Sequence, residues 1–529
     1  MKYIDLFRGG AHQTPDAPAV SCGSRTLSFR DSHDRAAKLA GSLLALGLEA
    51  GDRICVLAWN ELELIEIQVA CMRTGIALVP INARLPVPEV AFILADIQPG
   101  LLIVADDLRD LARDAVKESA TTPKIVELPT GEKQELGSQA EAAPSKGTLG
   151  NENATTGVFE TYSSLLDGDP LQADVAPNSG DLPSLILYTS GTTGRPKGAI
   201  ISRAALTARM MATALEMGFT PEDVWLQAQP MFHIGSIFPY TTIARGGHAV
   251  MQRRFDPKEY VELVQKHSCT ASSMVPTMIS MVLDEPTIAN MKSSTMRIMC
   301  YGGAPIVPDV LRRALDVFGC EFEQWYGQTE LSGATVLRPS DHDPNQPEKL
   351  NSLGVPFFGY ETVIIGDDGN ALPRNQVGEI ASRGPAAFSG YWNRPDATAS
   401  TIVGDWVLTG DIGYQDDQGY FHIVDRRNDM VISGGENVYP LEIERVLYEH
   451  PAIVECAVFG IPHEKWGEQV AAVFIGDVSE AELTAWARER LAGYKVPRVW
   501  LETSTPLPRN AVGKIQKHVI KAEALERLG

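Results

Sequence analysis

Residues Tyr188–Gly198 read YTSGTTGRPKG. Three glycines, four Ser/Thr hydroxyls, one proline and one lysine share these eleven positions. Upstream, Leu185–Leu187 reads as the end of a buried strand; downstream, Ala199–Leu206 reads as a short strand fragment entering a helix. A glycine-rich loop leaves backbone N–H groups open to an anion, hydroxyls add donors, and Lys197 adds positive charge. That composition describes a polyphosphate cradle. A Walker loop is excluded, because GxxxxGK must run into Ser or Thr, and Lys197 stands between Pro196 and Gly198. Glycine, serine and threonine also make ordinary turns, so only the full string is informative.

Working outward, residues 26–105 alternate apolar strands with amphipathic helices. Thr26–Phe29 reads as a strand and Ser32–Leu46 as a helix with Ala37, Leu39, Leu43, Leu44 and Leu46 on one stripe. ICVLAWN, IALVPI and LLIVAD read as buried strands separated by helices at about 61–74 and 87–95. This alternation predicts an α/β fold with a parallel sheet. GEKQELGSQAEAAPSKGTLGNENATTG marks an exposed insertion at about 130–180. After the loop the alternation resumes to about 335. Residues 351–425 favour short strand-and-turn units, a β-rich subdomain, and the last 100 or so residues return to strand and helix, enough for a small separate domain. The expected organisation is a large N-terminal domain, 1–427, and a small C-terminal α/β domain, 429–529.

The chain has 529 residues, room for about three or four domains or subdomains. Its net charge of −21 argues against nucleic-acid binding and against attachment to an anionic membrane, although a local cradle can still oppose the global field. The seven cysteines are scattered and form no CxxC pair, so disulfide and zinc readings are weak and a reducing cytoplasm is expected. No apolar run approaches the length of a bilayer span. The start MKYIDLFRGG and the end ERLG read as neither a leader nor a peroxisomal signal.

Five further stretches carry chemistry. Tyr301–Pro305 (YGGAP) follows an apolar strand, and its small residues let a flat ring approach the backbone. Gln324–Glu330 (QWYGQTE) sets a hydroxyl beside a carboxylate. In Trp406–Gly413 (WVLTGDIG), Asp411 sits in a glycine-flanked turn able to accept from two ribose hydroxyls. Asp425–Glu444 contains Gly434-Gly435, where the backbone can press against a ligand. Its Glu442 and Glu444 suit a helix start and are read as no more than that. Pro508–Ile515 (PRNAVGKI) carries Lys514, which alone would be surface charge.

Taken together and in this order, the six stretches resemble the adenylate-forming superfamily of acyl-CoA synthetases, luciferases and peptide-synthetase adenylation domains. The resemblance covers roughly residues 20 to 520 and implies ATP, Mg²⁺ and coenzyme A as cofactors. It implies that Thr189, Ser190, Gly191, Thr192, Thr193, Gly194 and Lys197 hold phosphates. Gly303, Ala304, Pro305, Gln324, Trp325 and Tyr326 would complete the nucleotide site, and Asp411 and Arg426 would contact the ribose or phosphate. Thr329 falls to the α-phosphate, Glu330 with Thr192 to the metal, and Lys514 to the carboxylate and α-phosphate during adenylation. Gly434 and Gly435 face the pantetheine arm, and Asn428 marks the hinge, where relatives usually carry Asp or Lys.

In amino-acid-activating relatives an Asp follows Phe after the phosphate loop. Here PMFHIGS puts His233 there, which disfavours an ammonium-bearing substrate because the buried cation would lack a partner. His233 reads equally as a packed core histidine or a pocket gate. The acyl pocket is expected around Phe232, His233, Met274, Met278, Gly303, Gly327 and Ser332; the 274–283 segment carries no Arg or Lys, which disfavours malonate. The implied function is an AMP-forming acid–CoA ligase for a small carboxylic acid, a medium-chain, aromatic or alicyclic monocarboxylate. The alternatives are another acceptor (carrier protein or oxygen) or a non-catalytic nucleotide-binding regulator. A homodimer stays open.

Overall fold

The computed structural model describes residues 7, 12–130, 160–189, 196–293, 295–304, 306–427, 429–433, 436–509 and 515–528. The chain forms two compact units. The first takes Met1–Leu350, Gly354–Glu361 and Ser382–Val407; the second takes Asn351–Leu353, Thr362–Ala381 and Leu408–Gly529.

Two large sheets build the first unit. In one, the strands run in the spatial order Glu160–Thr161, Lys124–Leu128, Leu101–Ala105, Arg53–Leu57, Ala77–Ile81, Pro183–Thr189, Lys197–Ser202. All pairs are parallel except the last, where Tyr188 opposes Gly198 and Thr189 opposes Lys197. The expected helices form at Phe29–Ala45, Glu63–Thr74 and Val87–Ile97. The first begins where Ser28 and Asp31 make a reciprocal capping box, three residues before the expected start.

The other sheet has nine strands, ordered Val355–Pro356, Thr335–Leu337, Glu321–Tyr326, Ile298–Gly302, Ala271–Met274, Val224–Gln227, His248–Met251, Pro18–Cys22, Arg25–Ser28. Its six central strands are parallel and its edges antiparallel. Val224–Gln227 comes first in the chain among the central strands that follow the loop, and later strands add on both sides of it. A doubly wound sheet offers its ligand crevice at the carboxyl ends beside such a reversal.

Helix Glu63–Thr74 is buried along every residue. One continuous core joins its Leu64, Ile65 and Ile67 to Ile54 and Ile103 of the first sheet and Val20 and Met251 of the second. Its carboxylates therefore need partners indoors. Glu63 accepts from Arg25 at 2.5 Å, and Glu66 from Arg35 at 2.6 and 2.9 Å and from the Tyr162 hydroxyl at 2.7 Å. Glu61, just before the helix, accepts from Arg253 at 2.5 Å.

Tyr162 corrects the expected insertion. Residues 131–159 lie outside the described ones, but Glu160–Thr161 adds a strand to the sheet, and Tyr162 and Leu165 are buried. Asp174 pairs with Arg73 at 3.1 Å, both nearly inaccessible. The polar composition of 130–180 masked these anchors.

The second unit carries the expected short strands, Glu361–Ile365, Gly378–Arg383, Trp406–Gln415 and Phe421–Arg426, whose end residues Glu361, Ser382–Arg383 and Trp406–Val407 count with the first. It also holds a sheet ordered Glu436–Val438, Val431–Ser433, Gly467–Gly476, Ile453–His463, with Val499–Glu502 beside Gly467–Gly476. Glu442 and Glu444 are more than a helix start here. Glu444 is buried, accepting from Val458 N and Lys517 Nζ at 2.8 Å each, and Glu442 takes Lys495 Nζ at 2.7 Å.

Arg35→Ala strands a fully buried carboxylate and should cost about 3–5 kcal/mol. Tyr162→Phe removes one hydrogen bond to the same group and should cost about 1–2 kcal/mol. Urea unfolding midpoints of both variants check this; equal losses would mean that Arg35 contributes no more than a neutral donor.

Candidate active site

Four adjacent parallel strands of the nine-stranded sheet end on the stretches singled out in the sequence. Val224–Gln227 leads to Phe232-His233, Ala271–Met274 to Met278, Ile298–Gly302 to Gly303-Ala304, and Glu321–Tyr326 to Gly327–Ser332. Two of the glycines are required by close approach. A Cβ on Gly302 would collide with the Trp325 carbonyl, and one on Gly327 with the Ser332 carbonyl.

Strand alternation divides the Gln324–Tyr326 segment. Trp325 points into the core, 4.6 Å from Phe357 and 4.9 Å from Phe238 between ring centroids, and its Nε1 donates to Glu323 at 2.5 Å. Gln324 and Tyr326 belong to the opposite face. Trp325 can therefore serve a nucleotide only through its backbone. Burial raises the Glu323 carboxyl to about 7, the hydrogen bond from Trp325 opposing it.

Glu330 is buried, and the structure supplies neighbours that the sequence reading missed. Its Oε1 accepts from the Tyr391 hydroxyl at 2.5 Å. Its carbonyl accepts from Phe388 N at 2.7 Å and Arg209 Nη2 at 3.3 Å, while Arg209 Nε donates to the Ala386 carbonyl at 2.8 Å. Arg209 is fully buried on the helix Arg203–Glu216, whose start is capped by Ser202, and burial lowers its pKa to about 10. Segment 388–392 runs beside the strand of the phosphate loop: Trp392 N donates to the Gly198 carbonyl at 2.8 Å and Ser389 N to that of Ile200 at 2.9 Å. Lys197 Nζ lies 5.3 Å from the Tyr391 ring centroid. One tyrosine thus touches both the loop lysine and Glu330. Its only sequence signal was the aromatic pair after Gly390.

His233 packs edge-on to Phe232, with ring centroids 4.8 Å apart. Its Nε2 is buried without a hydrogen-bond partner among the described residues. Burial, with a smaller contribution from the Arg84 charge, lowers its pKa to about 4, so the imidazole is neutral at pH 7. Met274 is fully buried in the core with Val250, Tyr260 and Met299, and Met278 packs on the same cluster, partly accessible. The structure thus places Met274 as core. Ser332 closes the Gly327 turn with a left-handed φ of 71°.

In the second unit Asp411 and Arg426 oppose each other on antiparallel strands, and Arg426 Nε lies 3.0 Å from Asp411 Oδ1. The neighbouring Asp425 accepts from Leu441 N and Arg426 N; burial raises its pKa to about 6. Ser190, Gly191, Thr192, Thr193, Gly194, Pro305, Asn428, Gly434, Gly435 and Lys514 lie outside the described residues.

Among the described residues no group of three or more His, Cys, Asp or Glu could cage a metal, and no helix is long and apolar enough to cross a membrane. Glu330 offers one free oxygen, since among the described residues no hydrogen bond reaches its Oε2. A single carboxylate suits a cation that keeps its waters and takes its other ligands from phosphates.

The family model described as AMP-binding enzyme matches residues 7–392, and that of the AMP-binding enzyme C-terminal domain matches 442–514. The chain is 34% identical to a feruloyl-CoA synthase of Amycolatopsis sp over 98% of its length and 97% of the relative's. It is 35% identical to the fatty acid–[acyl-carrier-protein] ligase ScoC of Streptomyces coeruleorubidus, over 97% and 94%. The o-succinylbenzoate coenzyme A synthetase of Bacillus subtilis, solved with its acyl-adenylate intermediate, superposes with a TM-score of 0.80 at 29% identity, 98% of each chain being covered. With two family models spanning most of its length and the α/β architecture of solved relatives, the chain belongs to the AMP-binding enzymes, the adenylate-forming superfamily, in its acid–CoA ligase branch.

Proposed function

We propose that the chain activates an aromatic carboxylic acid with ATP and transfers the acyl group to coenzyme A, releasing AMP and pyrophosphate. The observation that carries this reading is the convergence of the loop lysine Lys197, Tyr391 and Glu330 beside strand ends that the sequence had already assigned to nucleotide and acid. The 189–197 loop binds the β- and γ-phosphates through backbone N–H groups, hydroxyls and Lys197. Thr329 takes the α-phosphate. Glu330 with Thr192 would hold Mg²⁺, which when bound spreads the charge of the leaving phosphates. Lys514 neutralises charge developing between carboxylate and α-phosphate. The domain following Asn428 then turns, withdrawing Lys514 and presenting Gly434-Gly435 to the pantetheine arm. The thiolate attacks the acyl carbon, the acyl–phosphate bond breaks, and AMP leaves with its electron pair. The ATP and coenzyme A requirement fits a cytoplasmic setting.

The apolar walls offered by Phe232 and Met278 support an aromatic or other apolar monocarboxylate, and so does the name of the feruloyl-activating relative. A second reading has its own observation. The name of the succinylbenzoate-activating relative favours an acid bearing a distal anionic group. The carrier-protein ligase among the relatives keeps the acceptor under test.

AMP release across a panel of cinnamic-type, medium-chain and succinyl-substituted aromatic acids, each with and without coenzyme A, should show turnover that needs both an aromatic acid and the thiol. Turnover only with the succinyl-substituted acid selects the second reading, and pyrophosphate release indifferent to coenzyme A selects another acceptor. Lys514→Ala should slow adenylation about 10²–10³-fold, the range for losing one charge-stabilising donor. It should leave thioester formation from supplied acyl-adenylate near the wild-type rate. Equal loss in both half-reactions removes Lys514 from its assigned step.

A further inference from the structure

Glu330 is held at both ends. Its carbonyl is fixed by Phe388 N and the buried Arg209, and its Oε1 by the Tyr391 hydroxyl. Tyr391 is itself oriented. Its backbone N donates to Thr398 Oγ1 at 2.8 Å, which fixes the chain at the root of the ring. An ionised carboxylate only accepts, so the phenol supplies the proton of its bond to Glu330. Oε1 is therefore occupied by a donor at 2.5 Å, leaving Oε2 for a ligand.

A carboxylate with one oxygen engaged binds a cation most readily through the other. Magnesium, small and octahedral, is well served by single-oxygen contacts and retained waters; calcium, larger and with six to eight ligands, often takes both oxygens of a carboxylate. We propose that Tyr391 is a positioning residue for cation choice: by holding Oε1 it confines Glu330 to one-oxygen ligation and favours magnesium–ATP over calcium–ATP. The proposal rests on the reading of Glu330 as the metal carboxylate. The same tyrosine lies beneath Lys197, so the geometry ties the cation carboxylate to the phosphate lysine through one ring.

The test is ATP binding to the full chain, measured by titration calorimetry with magnesium alone, calcium alone or chelator. Tyr391→Phe keeps the ring under Lys197 and removes only the hydroxyl. Glu330→Gln should abolish the gain in ATP affinity from either ion. Tyr391→Phe should narrow the magnesium-to-calcium affinity ratio by about threefold or more, the scale of one charged hydrogen bond partly redeployed. Each variant's metal-free ATP affinity is the reference against which its magnesium and calcium affinities are taken. Thr398→Val, which removes the acceptor that holds the Tyr391 backbone N, should shift the ratio the same way by less, and it decides the matter if Tyr391→Phe does not fold. An unchanged ratio in the folded tyrosine and threonine variants, with Glu330→Gln still blunting the metal effect, overturns the role of Tyr391 and leaves Glu330 as ligand. Full metal dependence in Glu330→Gln overturns both.

Discussion

The first unit depends on burying a helix that carries acids. Glu63–Thr74 has no solvent face, and its position between two sheets removes Glu63 and Glu66 from water along with the adjoining Glu61. Desolvation of a carboxylate costs several kcal/mol, so each must meet a cation in good geometry. The cations come from separate elements: Arg25 on the edge strand of the nine-stranded sheet, Arg35 on the helix Phe29–Ala45, and Arg253 just after the strand His248–Met251. An apolar helix could slide or rotate between two sheets at little penalty. This one cannot, because every slip separates a buried charge from its partner. The ion pairs contribute specificity of docking more than net stability, and both sheets that present the site are referenced to the same helix.

What was legible in the sequence was what short-range periodicity records. Apolar runs such as LLIVA and ICVL became parallel strands, and the apolar stripe after Ser32 became a helix, although its start at the Ser28–Asp31 capping box was missed. The strands on either side of the Tyr188–Gly198 stretch were expected, but their antiparallel pairing was not. What stayed hidden involved partners far apart in the chain. Tyr391 meets Glu330 across 61 positions, Tyr162 meets Glu66 across 96, and Arg209 meets Ala386 across 177. No local pattern marks such pairs. Glu444 shows the same limit, since its place in a first helical turn explained it until Lys517 came to lie 2.8 Å away. The inward face of Trp325 was recoverable: strand alternation pairs it with Glu323 and separates it from Gln324 and Tyr326. Tyr162 and Leu165 were likewise an apolar signal inside a polar stretch.

A chain of net charge −21 that takes a polyanion needs its positive potential to be local. Lys197 supplies part of it at the loop. Arg209 supplies another part by a different device, a guanidinium with 1% exposure that bonds two backbone carbonyls. Neutral carbonyl oxygens take its Nε and Nη2 without cancelling its charge, as a carboxylate partner would, and its buried Nη1 has no hydrogen-bond partner among the described residues. Burial lowers its pKa only to about 10, so it stays protonated at neutral pH. Charge inside low-dielectric surroundings acts over a longer range than the same charge on the surface, where water and salt screen it. One buried arginine can therefore offset, at the Glu330 segment it holds, a surface field that is negative overall. The same bonds fix the backbone that carries Glu330 and, through it, the partner of Tyr391, so at this segment electrostatics and geometry share one side chain whose cost of burial the surrounding core must sustain.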